Sequence, residues 1–301
     1  MIYTVTFNPA VDYVMHPLSL DMGFTNRSKH EEFSVGGKGL CVSMVLTNLR
    51  VPNIAMAFAA GFTGRFVEET LHTRGMVTDL IWLDEGYTRI NVKIHNLAET
   101  KINGAGPAIP EDKYDMLMDK LEKLLPGDTL VLNGSVPSCL PKDTYARIME
   151  RFRDRGLRYV VDATGDLLMR SLESRPFLIK PNNHEIGAIF DCDPETPEDC
   201  LPLAHKLHEK GAQNVLVSCG GNGSCLVDSD GREHTVDAVQ GEIVNTTGAG
   251  DSMVAGFLAS IDQGESYEHA LRFASACGTA TAFAPGMATA EEIQAVFERM
   301  P

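Results

Sequence analysis

The stretch Asn245-Thr246-Thr247-Gly248-Ala249-Gly250-Asp251-Ser252 sets two glycines, an alanine and an acid at the head of an apolar helical pattern, Met253, Val254, Phe257, Leu258 and Ile261. A Gly-Ala-Gly turn lets the backbone approach a ligand closely. The first N–H groups of the helix behind it have no intrahelical partner, so they can hold an anion. Asp251 falls in that first turn. N–H groups there would stabilise charge on a moving phosphoryl group, and the carboxylate would take the proton of an attacking hydroxyl, so the stretch suits phosphoryl transfer. An acid near a helix start is also favoured by the helix dipole alone, so its surroundings decide.

A second glycine turn, Gly36-Gly37-Lys38-Gly39, precedes another helical pattern through Leu40, Val42, Val45, Leu46 and Leu49. It too reads as an anion-binding turn. The spacing is neither GxxxxGK[ST] nor GxGxxG, and a tight loop with an exposed lysine would look the same. Asp12 follows the strand exit at Asn8-Pro9; it is a turn residue or an acceptor for two neighbouring sugar hydroxyls. From Thr88 to His95, polar Arg89, Asn91, Lys93 and His95 alternate with Ile90, Val92 and Ile94. That is a strand with one wet face, where an arginine could clamp a phosphate or charges could merely protect an edge.

These residues need a scaffold. Ile2–Phe7 reads as an opening strand, Asn53–Ala60 as a strand and Gly64–Gly75 as a helix. Helices are expected at Tyr114–Leu125, Pro141–Arg155 and Pro197–Lys210, and strands at Thr129–Asn133, Tyr159–Asp162, Phe177–Lys180 and Asn214–Ser218. Val215–Val227 reads as strand, glycine turn (Gly220-Gly221-Asn222-Gly223), strand. Helices at Gly248–Asp262, Tyr267–Phe283 and Thr289–Met300 close the chain. Strand alternating with helix implies a parallel sheet covered on both faces, and ligands bind beyond the carboxyl ends of such strands. Asn133, Ser135, Asp162, Lys180, Asn182 and Ser218 all lie at or just past those ends, which points to one shared cleft.

With 301 residues, 44% hydrophobic, the chain has the make-up of a globular protein with a large core. A formal net charge of -15 disfavours nucleic acid and anionic membrane as partners. The seven cysteines include no CxxC and no zinc spacing, which implies reduced thiols and a cytoplasmic location. No signal peptide and no apolar run of membrane-spanning length is seen. The histidines, His205 and His208 among them, lack a metal-ligand spacing.

In order and separation, Val35-Gly36-Gly37-Lys38-Gly39 and Thr247-Gly248-Ala249-Gly250-Asp251-Ser252-Met253-Val254-Ala255-Gly256 resemble the ribokinase-like PfkB family of sugar kinases over the whole chain. Thr6-Phe7-Asn8-Pro9-Ala10-Val11-Asp12, Thr88-Arg89-Ile90-Asn91-Val92-Lys93, Asn103-Gly104-Ala105-Gly106-Pro107 and Lys180-Pro181-Asn182-Asn183-His184-Glu185 are similar to the 1-phosphofructokinase and tagatose-6-phosphate kinase branch. The resemblance implies an α/β, ribokinase-like fold: a central, mostly parallel sheet with helices on both faces and a small β-sheet lid. The core would comprise 1–10, 36–86 and 104–301, and the lid 11–35 and 87–103, with the lid pairing in a homodimer. It implies Asp251 as catalytic base, with Gly248, Ala249 and Gly250 as the anion hole. Asp12, Gly37, Lys38, Gly39, Cys41 and Arg89 would form the sugar-phosphate site, with Arg27 and Ser135 as weaker members. Lys180, Asn182, Ser218, Gly220 and Gly223 would hold ATP, and Glu185 would organise Mg2+ through water; a monovalent cation is also implied.

Three positions depart from the branch. Cys41 stands in place of an Asn expected to contact sugar hydroxyls, Met44 in place of a basic residue, and Cys139 in place of a Gly. A helix N-terminus can lower a thiol pKa, so Cys41 is expected to be open to alkylation. The implied activity is ATP-dependent phosphorylation of fructose 1-phosphate at its 6-hydroxyl. Tagatose 6-phosphate and fructose 6-phosphate are the alternatives, as is an inactive sugar-phosphate sensor.

Overall fold

The computed structural model describes residues 1–95 and 99–300. Residues 96–98, within a stretch expected to belong to the lid, and residue 301 lie outside the described residues. The chain opens with β1 (Ile2–Thr6) and a hairpin of β2 (Ala10–Pro17) and β3 (Ser28–Gly36). Helix α1 (Lys38–Asn48), β4 (Asn53–Ala59), α2 (Gly61–Thr73) and β5 (Thr78–Trp82) follow, then β6 (Arg89–His95) and β7 (Glu99–Asn103). Strand and helix then alternate through α3 (Glu111–Leu121), β8 (Thr129–Asn133), α4 (Thr144–Arg151), β9 (Arg158–Asp162), α5 (Gly165–Ser171), β10 (Leu178–Ile179), α6 (Asn183–Phe190), α7 (Pro197–Glu209) and β11 (Asn214–Ser218). A hairpin of β12 (Ser224–Val227) and β13 (Glu233–Val236) leads to α8 (Ala249–Asp262), α9 (Tyr267–Phe283) and α10 (Ala290–Phe297).

Among the described residues the strands form two sheets. The large one runs β13-β12-β11-β10-β9-β8-β1-β4-β5, parallel from β5 to β11 with β12 and β13 antiparallel at one edge. The small one runs β3-β2-β6-β7, with β2 and β6 parallel.

Side-chain alternation builds the core and then aims the site. In β8, Leu130 and Leu132 pack with α3, α4 and α7, while Val131 packs with α1 and α8. Val160, Leu178 and Leu216 likewise face the α1 and α8 side. Because the strand period is two, the residues two positions on, Asn133, Asp162, Lys180 and Ser218, emerge on that same face at the carboxyl ends of adjacent strands.

Element boundaries differ from the sequence expectation where local chemistry is ambiguous. The Tyr114–Leu125 pattern starts at Glu111, behind Pro110, and ends at Leu121. The Pro141–Arg155 helix is shorter, with a 3-10 turn at Arg153–Arg155. Strands β5 and β13 and helix α5 carry no clear pattern in sequence. Helix α5 spans 7 residues, too short to show a period, and β13 is the polar edge segment EHTV.

Candidate active site

The turn at Thr246–Gly250 has the geometry of an anion cradle. Asn245 Oδ1 accepts from Thr247 N at 2.9 Å, and Ala249 N donates to Thr246 O at 3.3 Å. Gly248 caps α8 in the left-handed region, φ 84, where glycine alone is at ease. Ser252 N closes an α-helical bond onto Gly248 O, so the N–H groups of Gly250 and Asp251 precede the regular ladder. The Ala249 N–H is thus already engaged within the loop, while the Gly250 and Asp251 N–H groups are outside the loop and helix bonds.

Asp251 is buried, 7% exposed. Burial, and after it the negative charge of Asp162, pushes its carboxyl up to about 7. Lys38 and Lys180 pull it back, and the nearby Asn133 amide does so slightly. Neither polar atom of the Asn133 side chain has a hydrogen-bond partner.

Asp162 receives Lys38 Nζ at 3.1 Å and Lys180 Nζ at 3.8 Å on the same oxygen, and its buried Oδ2 has no partner. Burial alone would raise this carboxyl, but Lys180 and Lys38 together hold it below the usual carboxylate range. Burial works to lower Lys38, yet Asp162, Asp251 and Glu185 outweigh it and raise its pKa. Lys180 lies against the α8 turn: a Cβ on Gly250 would sit 2.9 Å from its Nζ. Asp162 links two lysines to the Asp251 environment. Its position at a strand end was the signal for it in sequence.

On the small sheet, Asp12 Oδ1 accepts from Asn91 Nδ2 and Oδ2 from Lys93 Nζ, both at 2.8 Å. All three are buried, and the register Asp12↔Asn91, Val14↔Lys93 places them on one face. Lys93 Nζ also reaches Thr247 Oγ1 at 3.5 Å. Arg89 is half-buried, which lowers its pKa; its Nε donates to Asn8 O at 3.1 Å and Nη1 to Gly104 O at 3.3 Å. Gly37 (φ 119) and Gly39 pack on Thr6, which fixes the turn that presents Lys38. Ser135 is exposed in the loop after β8, past Gly134, whose Cα side faces the Lys38 stem.

The structure does not bring Arg27 to this cluster. It is exposed near the tip of the β2–β3 hairpin, where its carbonyl accepts from Leu18 N. That is roughly 20 Å of strand from Asp12. The expectation for the Cys41 thiol is also corrected. Cys41 is buried, and desolvation, then the charges of Asp251 and Asp12, push its pKa well above the normal value; Lys93 offsets this in part. Being at a helix start does not outweigh burial among carboxylates. Met44 is buried in the core with Val35 and Leu40, and exposed Cys139 accepts from Ile109 N at 3.3 Å. All seven cysteines are free.

A cleft of about 620 Å3 runs from Lys38 and Asp251 past Lys180 and Asn182 to Ser218 and the Gly220–Gly223 turn. Asn182 and Glu185 close a capping box at the start of α6: Asn182 Oδ1 accepts from Glu185 N at 2.8 Å and Glu185 Oε2 from Asn182 N at 2.9 Å. This leaves one Glu185 oxygen for other work. Among the described residues no group of three or more His, Cys, Asp or Glu converges to hold a metal. No helix among them is long and apolar enough to cross a membrane.

A parallel sheet with a second small sheet beside it, a glycine turn bearing a buried acid and a lysine-lined cleft define a class of small-molecule phosphotransferase. The chain belongs to the pfkB family of carbohydrate kinases, which matches residues 5–294. The 1-phosphofructokinase of Bacillus subtilis (strain 168) is 40% identical over 294 residues, covering 98% of this chain and 96% of that one. The D-tagatose-1-phosphate kinase of Bacillus licheniformis is 37% identical over 288 residues, covering 95% and 94%. The phosphofructokinase-2 from Escherichia coli in complex with substrates and products superposes with a TM-score of 0.93 at 25% identity, covering 99% of both chains.

Proposed function

We propose that this protein transfers the γ-phosphoryl group of ATP to the 6-hydroxyl of fructose 1-phosphate, forming fructose 1,6-bisphosphate. The observation that carries the reading is Asp251, a buried carboxyl pushed up to about 7 at the mouth of a helix N-terminal turn. A base poised near the working pH is matched to removing a hydroxyl proton. In this reading Asp251 takes the proton of the attacking hydroxyl while the Gly250 and Asp251 N–H groups face the developing charge. Asp12 accepts from sugar hydroxyls, and the N–H donors that Arg89 has left over take the sugar phosphate. Lys180 flanks the transferred group, Lys38 sits between the two halves, and Ser218, Gly220 and Gly223 border the nucleotide.

When bound, ATP with Mg2+ supplies the phosphoryl group and neutralises charge on it. The donor set fits such a pair: few protein carboxylates, with one spare Glu185 oxygen, suit a magnesium held mainly by phosphates and water. A monovalent cation is included on the family resemblance. Residues 11–35 and 87–103 act as the lid. Its face opposite Asp12 carries Tyr13 stacked on Phe33, and Phe33 and Ile102 are each 59% exposed. Two copies would bury these faces against each other, measurable as a dimer in sedimentation.

D-tagatose 1-phosphate is the second reading, favoured by the 37% identity to a kinase named for it. It keeps the phosphate at C1 and differs from fructose 1-phosphate in one hydroxyl, and Cys41 offers a sugar hydroxyl a poorer partner than Asn would. A coupled ADP assay over the 1- and 6-phosphates of fructose and tagatose tests this. We expect the highest kcat/KM with fructose 1-phosphate. A preference for either 6-phosphate would move the phosphate pocket away from Arg89. Tight binding with no ADP formed above the sugar-free rate would identify a sensor instead.

A further inference from the structure

We propose that Lys93 is a positioning residue that couples occupancy of the sugar site to the geometry of the anion turn. This rests on the kinase reading above. Lys93 lies on β6 of the small sheet and is 9% exposed, a depth at which lysine is found only when paired. Its ammonium has three donors. One is held short by Asp12 Oδ2 at 2.8 Å, and another reaches Thr247 Oγ1 at 3.5 Å, the outer edge of a hydrogen bond. Thr247 directly precedes Gly248, the αL residue that starts α8, and its own N–H is tied to Asn245 Oδ1. Lys93 therefore joins the small sheet to the head of α8 through the two elements that must act together: the carboxylate that receives the sugar and the turn that receives the phosphoryl group.

The unequal distances give the coupling a direction. Asp12 is filled on both oxygens, by Asn91 and Lys93. Sugar hydroxyls that donate to Asp12 compete with Lys93 for carboxylate charge. The ammonium is a point charge on a flexible stem, and a shift of roughly 0.5 Å brings it to ordinary hydrogen-bond distance from Thr247. The turn is then held from three sides: Asn245, the α8 ladder and Lys93. With the sugar site empty, the third hold is slack and the turn is less well set for transfer.

The test uses the full-length enzyme and the variants Thr247→Val, Thr247→Ser, Lys93→Met and the double variant Lys93→Met/Thr247→Val. Thr247→Val removes the hydroxyl alone and should lower kcat by roughly 3- to 10-fold, with the KM for fructose 1-phosphate changed less than about 2-fold. Thr247→Ser, which keeps the hydroxyl, should restore the wild-type rate. Lys93→Met also strips Asp12 Oδ2 of its partner, so the sugar is misplaced as well and the loss should be on the order of 100-fold, and the double variant should lose no more than Lys93→Met.

A second readout is the Kd of a nonhydrolysable ATP analogue with and without fructose 1-phosphate. The sugar should tighten it several-fold in wild type and not at all in Thr247→Val. If Lys93→Met does not fold, the two Thr247 variants and this Kd pair decide alone. Losses that multiply in the double variant, a Thr247→Val enzyme with unchanged kcat, or undiminished sugar-to-nucleotide coupling would each overturn the inference. A wild-type enzyme without sugar-dependent ADP formation would instead overturn the kinase reading, and this inference with it.

Discussion

The turn at Gly36–Gly39 puts Lys38 at the head of α1, and the turn at Gly248–Gly250 puts Asp251 in the first turn of α8; both face one cleft. Their charges relate to the helix dipole in opposite ways. A lysine at a helix N-terminus opposes the dipole and an aspartate agrees with it, yet the lysine holds its charge tightly and the aspartate does not. Lys38 is sustained by Asp162, Asp251 and Glu185. Asp251 is buried beside the negative charge of Asp162, and neither dipole nor lysines fully compensate. Charge placement across the sheet, over 124 residues of chain between Lys38 and Asp162, outweighs the local helix field. The glycines differ as well. Gly37, with φ 119, is held by its backbone, since a Cβ there would meet Thr6 Cγ2 at 2.9 Å and Pro9 Cα at 3.2 Å. Gly250 is helical, and a Cβ on it meets only the Lys180 ammonium end.

The largest test of this contrast is Asp251→Asn. It should keep the shape of the turn and lower kcat on the order of 100- to 10,000-fold. It should also stabilise the fold at alkaline pH. The unfolded carboxyl ionises near its ordinary 3.8 and the folded one near 7, so the native state binds the proton more tightly. Stability contributed through Asp251 therefore falls as pH rises from about 4 to 7, by on the order of a few kcal/mol. Asn removes that loss, so the variant should melt higher than wild type at pH 8 and match it at pH 4. A variant that melts no higher at pH 8 would show that burial does not strain this carboxyl.

Smaller than that loss is the pH dependence of the wild-type enzyme. kcat/KM should fall tenfold per unit below about pH 7, roughly 100-fold by pH 5. A profile flat down to pH 5 would mean that Asp162 and burial do not reach Asp251, and that the two turns are electrostatically independent.

The glycine pair gives the finest resolution. Gly250→Ala should cost roughly 10-fold in kcat by displacing Lys180, with a melting temperature unchanged or slightly raised, because Ala favours a helix. Gly37→Ala should do the reverse. It should destabilise by about 2–4 kcal/mol in thermal or urea unfolding, through backbone strain and overpacking, while the folded fraction loses less kcat than Gly250→Ala does. If both variants lost activity without losing stability, Gly37 would belong to the catalytic turn rather than to the scaffold.

The amino-acid sequence by itself determined what depends on neighbours along the chain. The bounds of β8, β11 and α9 follow from local periodicity and turn residues, as do the hairpin turn at Gly220–Gly223 and the two glycine turns. The row of polar residues at strand ends follows from the period of two once the strands are in place. Tertiary structure decided everything that depends on which charges meet. Nothing local pairs Asp12 with Lys93, 81 residues away, or sets two lysines on Asp162, or keeps Arg27 at the far end of its hairpin. It also reversed the Cys41 thiol. A helix start lowers a thiol pKa when water and the dipole are the main influences, but Cys41 is buried within reach of the charges of Asp251 and Asp12, and both burial and like charge oppose a second anion there. Periodicity is carried by the backbone and can be read from one segment at a time. Charge pairing and desolvation are properties of the folded interior, and they exist only after distant segments have been brought together.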